Sequence, residues 1–260
     1  MTGFSSPAIL LRRTDYADYD LILTLLTLEH GKLTVIAKYA KKSVKRFAGV
    51  LELFSTLKIV CSRTCKDNLT VLQEACVERS FEGIRSNIVK TAYASYWAEL
   101  VNDGAQPGEI HAPLYHLLQH MLSALDEGRS SEAMLSMLFQ IKFAKLSGIS
   151  PDLERCGVCR IELEKISGPE ILFDFSRGTL ICQKCEKKAS ARTAVLAKGT
   201  IKQLIWMTSR DIEAVARLRC TDAALKQGLE FLENFVPYHL GKIPRSLDVL
   251  HQLRQPRNGG

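Results

Sequence analysis

The sequence predicts an α+β fold in which a five-stranded barrel comes first and a mainly α-helical domain with an inserted four-cysteine element follows. Short runs rich in Leu, Ile, Val and Thr fill the N-terminal part, apolar residues recur at helical spacing from about residue 85, and two Cys-x-x-Cys pairs interrupt the helical part. We therefore expect a barrel domain at residues 1–80 and a helical domain at residues 81–260, with the cysteine element at residues 153–190.

The barrel is predicted from five apolar runs that are separated by turns. His30-Gly31-Lys32 supplies the turn between the second and third runs, and the third run alternates so that Lys38 falls on the face opposite Leu33. Five strands in about eighty residues is the size of an OB-fold barrel. A helix at Asp20–Glu29 is the alternative, because leucine is a good helix former and this run is too continuous for its period to decide. The predicted strands are Ala8–Arg12, Leu21–Leu28, Leu33–Lys38, Leu51–Val60 and Leu69–Glu74.

Apolar stripes at helical spacing follow the barrel. The first runs from Ala92 to Val101, the second from Leu114 to Leu125, and the third from Met134 to Ile141, where the residues are apolar nearly all round as in a helix buried inside a bundle. Helices resume after residue 185, with stripes at Ile201–Thr208 and Leu225–Val236. These stripes predict a packed helical body.

The two Cys-x-x-Cys pairs predict a metal site. Cys156 and Cys159 form the first pair, Cys182 and Cys185 the second, and the segment between them has the pattern of a hairpin around Ser176-Arg177-Gly178. Two such turns can complete a tetrahedral Zn(II) shell of four sulfurs, which leaves no open position for water and so indicates one structural zinc ion per chain. A pair of redox-active dithiols is the alternative. Outside the pattern stand four cysteines that are expected to be buried or incidental thiols, namely Cys61, Cys65, Cys76 and Cys220.

Charge is unevenly distributed along the chain, whose net charge is +7. Residues 1–80 carry 12 basic and 8 acidic side chains, and residues 186–260 carry 13 and 7, whereas residues 81–155 carry 6 and 9. Basic ends around an acidic middle suit a polyanionic partner, although ordinary surface charge would produce the same counts.

A basic loop follows the third strand. Residues 38–46 hold five basic side chains and no acid, beside the aromatic rings of Tyr39 and Phe47. Cations that neutralise phosphates next to rings that stack on bases are typical of single-strand binders, whereas a solvated charge run is the alternative. The candidate DNA-binding residues are Arg12, Arg13, Lys38, Tyr39, Lys41, Lys42, Lys45 and Arg46.

Motifs for catalysis and membrane insertion are not found in the sequence. It has no Gly-x-x-x-x-Gly-Lys-Ser/Thr loop and no His-Glu-x-x-His motif, and the acidic residues Asp15, Asp18 and Asp20 lack a glycine-bearing calcium loop, so turn and barrel-rim roles are expected for them. It also lacks a run of eighteen uninterrupted apolar residues and a signal-like N-terminus. We therefore expect a cytoplasmic protein that is not an enzyme and has no membrane partner.

The order and spacing of several segments resemble the RecO family of recombinational repair mediators over nearly the whole chain. Two positions depart from the family pattern: Tyr39 stands where a glycine usually precedes the basic pair, and Tyr16-Ala17-Asp18 replaces Tyr-Gly-Glu. The segments that carry the resemblance are 8–20, 25–33, 35–43, Leu51–Phe54, the two cysteine pairs, Tyr238–Gly241 and Arg245–Leu247.

The resemblance implies an N-terminal OB-fold, a helical body and a zinc element. It further implies binding of single- and double-stranded DNA, annealing of complementary strands, and partnership with RecR and with the C-terminal tail of the single-strand binding protein to help load RecA, in the bacterial cytoplasm and at the nucleoid. The alternatives from other classes are a zinc-ribbon DNA-processing enzyme fragment and a protein-interaction adaptor whose basic ends bind acidic tails.

Overall fold

The computed structural model of the protein describes residues 3–43, 46–63, 70–210 and 220–254. By backbone proximity the chain divides into two compact units, Met1–Glu127 with Pro244–Gly260, and Gly128–Ile243. The domain boundary expected at residue 80 stays a prediction.

The first unit contains the predicted five-stranded barrel. Its strands are β1 (Gly3–Tyr16), β2 (Asp20–Thr27), β3 (Gly31–Ala37), β4 (Thr56–Arg63) and β5 (Thr70–Arg79). They form a closed barrel in the order β1-β2-β3-β5-β4, in which β3 and β5 run parallel and the other pairs antiparallel. This confirms the predicted OB-fold barrel, and the alternative of a helix at Asp20–Glu29 is wrong. Leu69, the first residue of the fifth predicted strand, lies outside the described residues.

The alternation along the strands fills the barrel interior. In β2 the leucines Leu21, Leu23 and Leu25 are buried, whereas the residues between them are only half-buried. Leu23 lies opposite Val35 on β3, and both belong to the barrel core. Because successive side chains point to opposite faces of a strand, one apolar face of each strand is enough to build this core.

The fourth strand begins later than predicted. The prediction started it at Leu51, whereas β4 starts at Thr56. Phe54 adopts a φ of 71°, a left-handed conformation that an extended strand cannot contain. The Phe54 N–H donates to Leu10 O (2.9 Å) and the Leu10 N–H donates to Ser55 O (3.2 Å), so this segment folds against β1 before the strand begins.

Four helices complete the described part of the first unit: α1 (Glu82–Arg85), α2 (Ile88–Gly104), α3 (Ala112–Glu127) and, near the C-terminus, α7 (Arg245–Arg254). Asn87 is the N-cap of α2, since its side-chain oxygen accepts from the N–H groups of Val89 (2.9 Å) and Lys90 (3.2 Å). The first two predicted stripes are confirmed, because their apolar residues are the buried faces of α2 and α3.

The second unit packs helices with a small sheet. Its described α-helices are α4 (Glu132–Leu146), α5 (Lys198–Ser209) and α6 (Asp222–Leu240). Its strands are β6 (Asp152–Cys156), β7 (Glu170–Asp174), β8 (Thr179–Ile181) and β9 (Thr193–Ala197), and two short 3-10 helices are Leu163–Lys165 and Gln183–Lys188. The sheet order is β6-β8-β7-β9. Phe173 of β7 and Phe175, just after this strand, pack against Phe231 and Phe235 of α6, with ring centroids 4.8 to 6.4 Å apart. Among the described helices none is long and apolar enough to cross a lipid bilayer.

Strands β6 and β9 were not predicted from the sequence. The predicted hairpin of residues 172–181 is confirmed as β7 and β8, with Phe173 opposite Leu180. β6 and β9 each span five residues and lie at the two edges of the sheet, where their partners come from residues distant in sequence. The chain therefore returns to strand before the helices resume at α5.

Candidate metal centre and nucleic-acid interface

The four predicted cysteines form one cluster. The sulfur atoms of Cys156, Cys159, Cys182 and Cys185 all lie within 4.8 Å of one another, and those of Cys159 and Cys182 are 3.6 Å apart. A tetrahedral Zn(II) ion with Zn–S bonds of about 2.3 Å holds its sulfurs about 3.8 Å apart. The cluster therefore has both the donor set and the size of a four-sulfur metal site.

The small sheet brings the two pairs together. β6 ends at Cys156, and the neighbouring parallel strand β8 leads directly into Cys182. At the first pair Arg160 N–H donates to Cys156 O (2.9 Å), so this pair lies in a tight turn. At the second Cys185 N–H donates to Cys182 O (2.8 Å), and this pair forms the first turn of a 3-10 helix, Gln183–Lys188. Strands that run in the same direction end at the same edge of the sheet, which is why these turns meet.

Gly157 is required by close packing in the first turn. A Cβ atom at this position would lie 2.1 Å from Cγ2 of Thr179 on β8. The Gly157 N–H donates to Leu180 O at 2.9 Å, which joins the cysteine turn to the same strand. Glycine therefore lets the first cysteine pair approach the strand that carries the second.

Burial and hydrogen bonds shift the pKa values of Cys156, Cys182 and Cys185 in different directions. Burial opposes charge on Cys156, yet the backbone N–H groups of Cys159, Cys182 and Val158 lower the pKa of its thiol to about 6. Burial and hydrogen bonds with the neighbouring thiols raise the pKa of Cys185 to about 12, and burial raises the pKa of Cys182. A divalent cation would offset the repulsion between thiolates and favour deprotonation of all four.

The cysteines outside the cluster do not form a second one among the described residues. Cys61 lies in the barrel core, where burial raises the pKa of its thiol to about 12. Cys76 is exposed and Cys220 is half-buried. Cys65 lies outside the described residues. The metal-site prediction therefore rests on the two Cys-x-x-Cys pairs alone.

The basic loop packs against the turn between β1 and β2. Lys41 N–H donates to Tyr19 O (3.0 Å), and the Lys41 ammonium lies 3.0 Å from a carboxylate oxygen of Asp15. The ammonium of Lys42 lies over the Tyr19 ring, 3.5 Å from its centroid. Asp20 accepts from the Tyr39 N–H at 2.7 Å. Asp15 and Asp20 thus have the barrel-rim roles expected from the sequence.

The predicted cations lie on two sides of this barrel end. Arg12 lies opposite Thr24 and is exposed on the outer face. Arg13 lies opposite Leu23, so it points towards the barrel mouth, where its guanidinium donates to Leu51 O at 2.9 Å. Arg13, Lys41 and Lys42 line a cleft of about 560 Å³ at the barrel mouth, together with Asp15 and Glu52.

The remaining candidates complete the loop. Lys38 is exposed, and its backbone oxygen accepts from the guanidinium of Arg46 at 3.3 Å. The Arg46 guanidinium also lies 5.0 Å from the centroid of the Phe47 ring. Lys45 lies outside the described residues. The structure thus places Arg12, Arg13, Lys38, Lys41, Lys42 and Arg46 at or beside the same end of the barrel.

The aromatic side chains of the loop differ from the expectation. Phe47 is only 4% exposed and belongs to the barrel core, so it is not available for base stacking, whereas Tyr39 is 61% exposed. Tyr16 and Tyr19, at the turn between β1 and β2, are exposed by 51% and 38%. Sequence reasoning missed these two rings, although their position in a turn of alternating Tyr and Asp residues is the signal that could have indicated them.

Two residues at this end adopt the left-handed conformation that normally favours glycine. Ala17 has a φ of 49° and Tyr39 a φ of 56°. They are the two positions at which this chain departs from the glycine-bearing pattern of the family it resembles. Both turns therefore keep the left-handed backbone conformation that a glycine favours, although neither residue is a glycine.

The fold and the cysteine cluster define a class of protein: an OB-fold barrel followed by a mainly helical region with a candidate structural metal site. The family model described as "Recombination protein O N terminal" matches residues 1–81, and "Recombination protein O C terminal" matches residues 85–248. The chain therefore belongs to the RecO family of DNA repair proteins.

Relatives named "DNA repair protein RecO" resemble this chain along almost its full length. The protein of Desulfosudis oleivorans is 45% identical, covering 98% of this chain and 99% of the relative. That of Desulfatibacillum aliphaticivorans is 39% identical with the same coverage, and that of Syntrophus aciditrophicus is 32% identical over 94% of each chain.

Proposed function

We propose that this protein is a nonenzymatic repair mediator that binds and anneals single-stranded DNA through the loop end of its barrel. The observation that carries the proposal is the combination, at one barrel end, of exposed cations and exposed tyrosine rings in a member of a DNA repair family. Lysines and arginines neutralise phosphates, and tyrosines stack on unpaired bases. In this proposal residues 1–80 act as the DNA-binding domain, and duplex DNA is a second ligand.

Annealing needs no chemical step in this proposal. Two complementary strands repel each other through their phosphates, and a protein that neutralises some of these phosphates lowers the repulsion between them. No nucleotide hydrolysis is required, because pairing of the strands itself supplies the driving force. Family membership supports the further proposal that the protein works with RecR and the single-strand binding protein to help load RecA.

We propose that the basic C-terminal segment of this chain, residues 186–260, binds the tail of the single-strand binding protein. That segment carries 13 basic and 7 acidic side chains, and an acidic tail would be attracted to such a surface. This docking would bring the protein to strands that are already coated. The place of action that follows is the cytoplasm of a bacterial cell, at the nucleoid.

We also propose that the cysteine cluster holds one structural Zn(II) ion. All four donors are sulfur, and three of the four cysteines are buried. A zinc ion with four protein ligands has no position for a reacting water and therefore stabilises the element without catalysing a reaction. Cys156, Cys159, Cys182 and Cys185 would be its ligands.

The DNA-binding proposal predicts how affinity responds to salt. Replacing Lys41, Lys42 and Lys45 by alanine should lower affinity for single-stranded DNA and flatten the log-log salt dependence by up to about two units, because each phosphate contact contributes about 0.7. The measurement is a fluorescence anisotropy titration at several salt concentrations. The same preparations should anneal complementary strands without ATP, and the triple variant should do so more slowly.

The control removes the same charge elsewhere. Arg129, Lys145 and Lys165 are exposed side chains of the second unit that lie outside the basic C-terminal segment, and Lys165 forms an ion pair with Glu162. Replacing these three by alanine should leave the slope unchanged. An unchanged slope in the loop variant, or an equal change in the control, would exclude the basic loop as the DNA site.

A further inference from the structure

The exposed aromatic side chains of the described residues are gathered at one place. Tyr16, Tyr19 and Tyr39 are exposed by 51%, 38% and 61%. Tyr16 ends β1, Tyr19 lies in the turn that follows, and Tyr39 lies in the basic loop. Aromatic rings carry a large apolar surface that a protein normally buries. Three such rings exposed together are suited to contact with a flat, partly apolar ligand.

The backbone holds Tyr39 in a conformation that is unusual for its residue type. A φ of 56° is uncommon outside glycine, asparagine and aspartate, and is an outlier for a bulky side chain. The Tyr39 N–H donates to a carboxylate oxygen of Asp20 at 2.7 Å, and its carbonyl accepts from the Lys42 N–H at 3.1 Å. These two bonds fix the loop on both sides of Tyr39 while its ring stays exposed. Local backbone strain of this kind persists where the surrounding structure imposes it and is concentrated at functional sites.

The rings of Tyr19 and Tyr39 differ in whether another side chain already lies against them. The Tyr19 ring carries the ammonium of Lys42 on its face, 3.5 Å from its centroid. The Tyr39 ring has neither a cation nor an aromatic partner among the residues that the structure describes. Lys38 and Lys41 flank it in sequence. As far as the described residues show, Tyr39 thus has an open ring face next to side chains that can hold a phosphate backbone.

We propose that Tyr39, with Tyr16 and Tyr19 beside it, forms a base-stacking surface that makes this barrel end prefer single strands to duplex DNA. The inference rests on the proposed DNA-binding function and adds the strand preference of the same site. Bases of a single strand can leave their own stack and lie against a ring, whereas bases in a duplex are already stacked on each other and are not available. The lysines attract either form of DNA, so the rings supply the discrimination.

The test separates the ring from the charge. Tyr39→Asn removes the ring but keeps a residue that tolerates the left-handed conformation, and Tyr39→Phe keeps the ring. At fixed salt Tyr39→Asn should bind single-stranded DNA about 5- to 100-fold more weakly, the range expected for loss of one stacked base. Its salt slope and its affinity for duplex DNA should stay unchanged, because no phosphate contact is lost. Tyr39→Phe should bind like the unchanged protein.

A second measurement uses an oligonucleotide whose central nucleotides lack bases. The unchanged protein should bind this strand more weakly than the normal strand, because its Tyr39 ring has no base to stack on. Tyr39→Asn should bind both strands with the same affinity, because the ring is already missing and removal of the base then costs nothing further. Ile110→Asn, at an apolar residue between α2 and α3 that is 62% exposed, is the matched control and should still distinguish the two strands.

The outcomes distinguish this inference from the function on which it rests. Equal binding of single strands by Tyr39→Asn and the unchanged protein, or an equal loss on normal, abasic and duplex DNA, overturns the stacking surface while leaving the lysine-dependent salt slope intact. Failure of the unchanged protein to bind DNA at all overturns both proposals.

Discussion

At the scale of single residues, close approaches and short hydrogen bonds decide the geometry of both candidate sites. The carboxylate of Asp20 fixes the backbone of Tyr39, and the carboxylate of Asp15 accompanies Lys41. In the second unit Gly157 permits the contact between a cysteine turn and β8. Each of these residues acts by placing another, so its replacement should move a neighbour that lies at the site.

Gly157 offers a direct test at this scale. In Gly157→Ala the added methyl group would overlap Thr179 Cγ2, which lies 2.1 Å from the position of the new atom. We expect a loss of about 1 to 3 kcal/mol in the free energy of unfolding, as for overpacking in other interiors, and weaker metal retention. The measurements are chemical denaturation and competition with a chelator.

Gly199→Ala provides the comparison, since nothing lies within 4 Å of a Cβ atom at that position of α5. This variant should keep its metal and be as stable as the unchanged protein or slightly more so, because alanine favours a helix over glycine. Equal metal retention in the two variants would argue against a packing role for Gly157.

At the scale of elements, helix α7 is joined to α2 through its N-terminus. Glu99 of α2 accepts from the N–H groups of Arg245 (3.1 Å) and Ser246 (2.9 Å), and from the Ser246 hydroxyl at 2.6 Å. The first turn of a helix has unpaired N–H groups and the positive end of the helix dipole, both of which favour a carboxylate. Leu247 and Leu250 bury the inner face of α7, so this cap sets where the C-terminal helix begins.

Removing the cap should loosen α7 without disturbing the barrel. We expect Glu99→Ala to lower the free energy of unfolding by about 1 to 2 kcal/mol, and Glu99→Gln by less, because glutamine retains an acceptor but not the charge. Hydrogen exchange should quicken at the amides of Arg245 and Ser246. Glu170→Gln, at an exposed residue of β7, should leave that exchange unchanged, and unchanged exchange in Glu99→Ala would show that the cap is dispensable.

At the scale of the whole molecule, each of the two compact units carries one candidate site. The barrel end with the basic loop lies in the unit Met1–Glu127 with Pro244–Gly260, and the cysteine cluster lies in the unit Gly128–Ile243. The metal site joins the turns that follow β6 and β8, so loss of the ion should affect the small sheet first. The barrel has its own apolar core and should respond less.

Cys182→Ser tests this expectation. The variant loses one of four thiolate ligands, so we expect the purified protein to lose its zinc and the second unit to unfold at lower temperature, since metal binding is coupled to local folding. Metal analysis and calorimetry measure both effects. Cys220→Ser changes a cysteine outside the cluster and should retain one zinc per chain; stoichiometric zinc in a protein lacking both Cys182 and Cys185 would contradict the four-sulfur site.

The sequence was enough to predict four barrel strands, the helical stripes and the four metal-ligand candidates, whereas the run Leu21–Leu28 was also compatible with a helix until its pairing with β1 and β3 was known. These features are local: alternation with period two, apolar spacing with the helical period, and ligand pairs two residues apart are each written in a short segment. The basic loop was determined in the same way, because a run of cations is visible whatever its partners are.

Which side chains are available at the surface could be learned from the folded structure alone. Phe47 is buried in the barrel core while Tyr16 and Tyr19 are exposed, and Arg13 bonds Leu51. Because Phe54 adopts a left-handed conformation, β4 begins several residues later than predicted. Strands β6 and β9 pair with β8 and β7, which lie many residues away in the sequence. Burial, pairing and strand addition depend on contacts between residues far apart in the chain, and no local pattern in a single sequence records them.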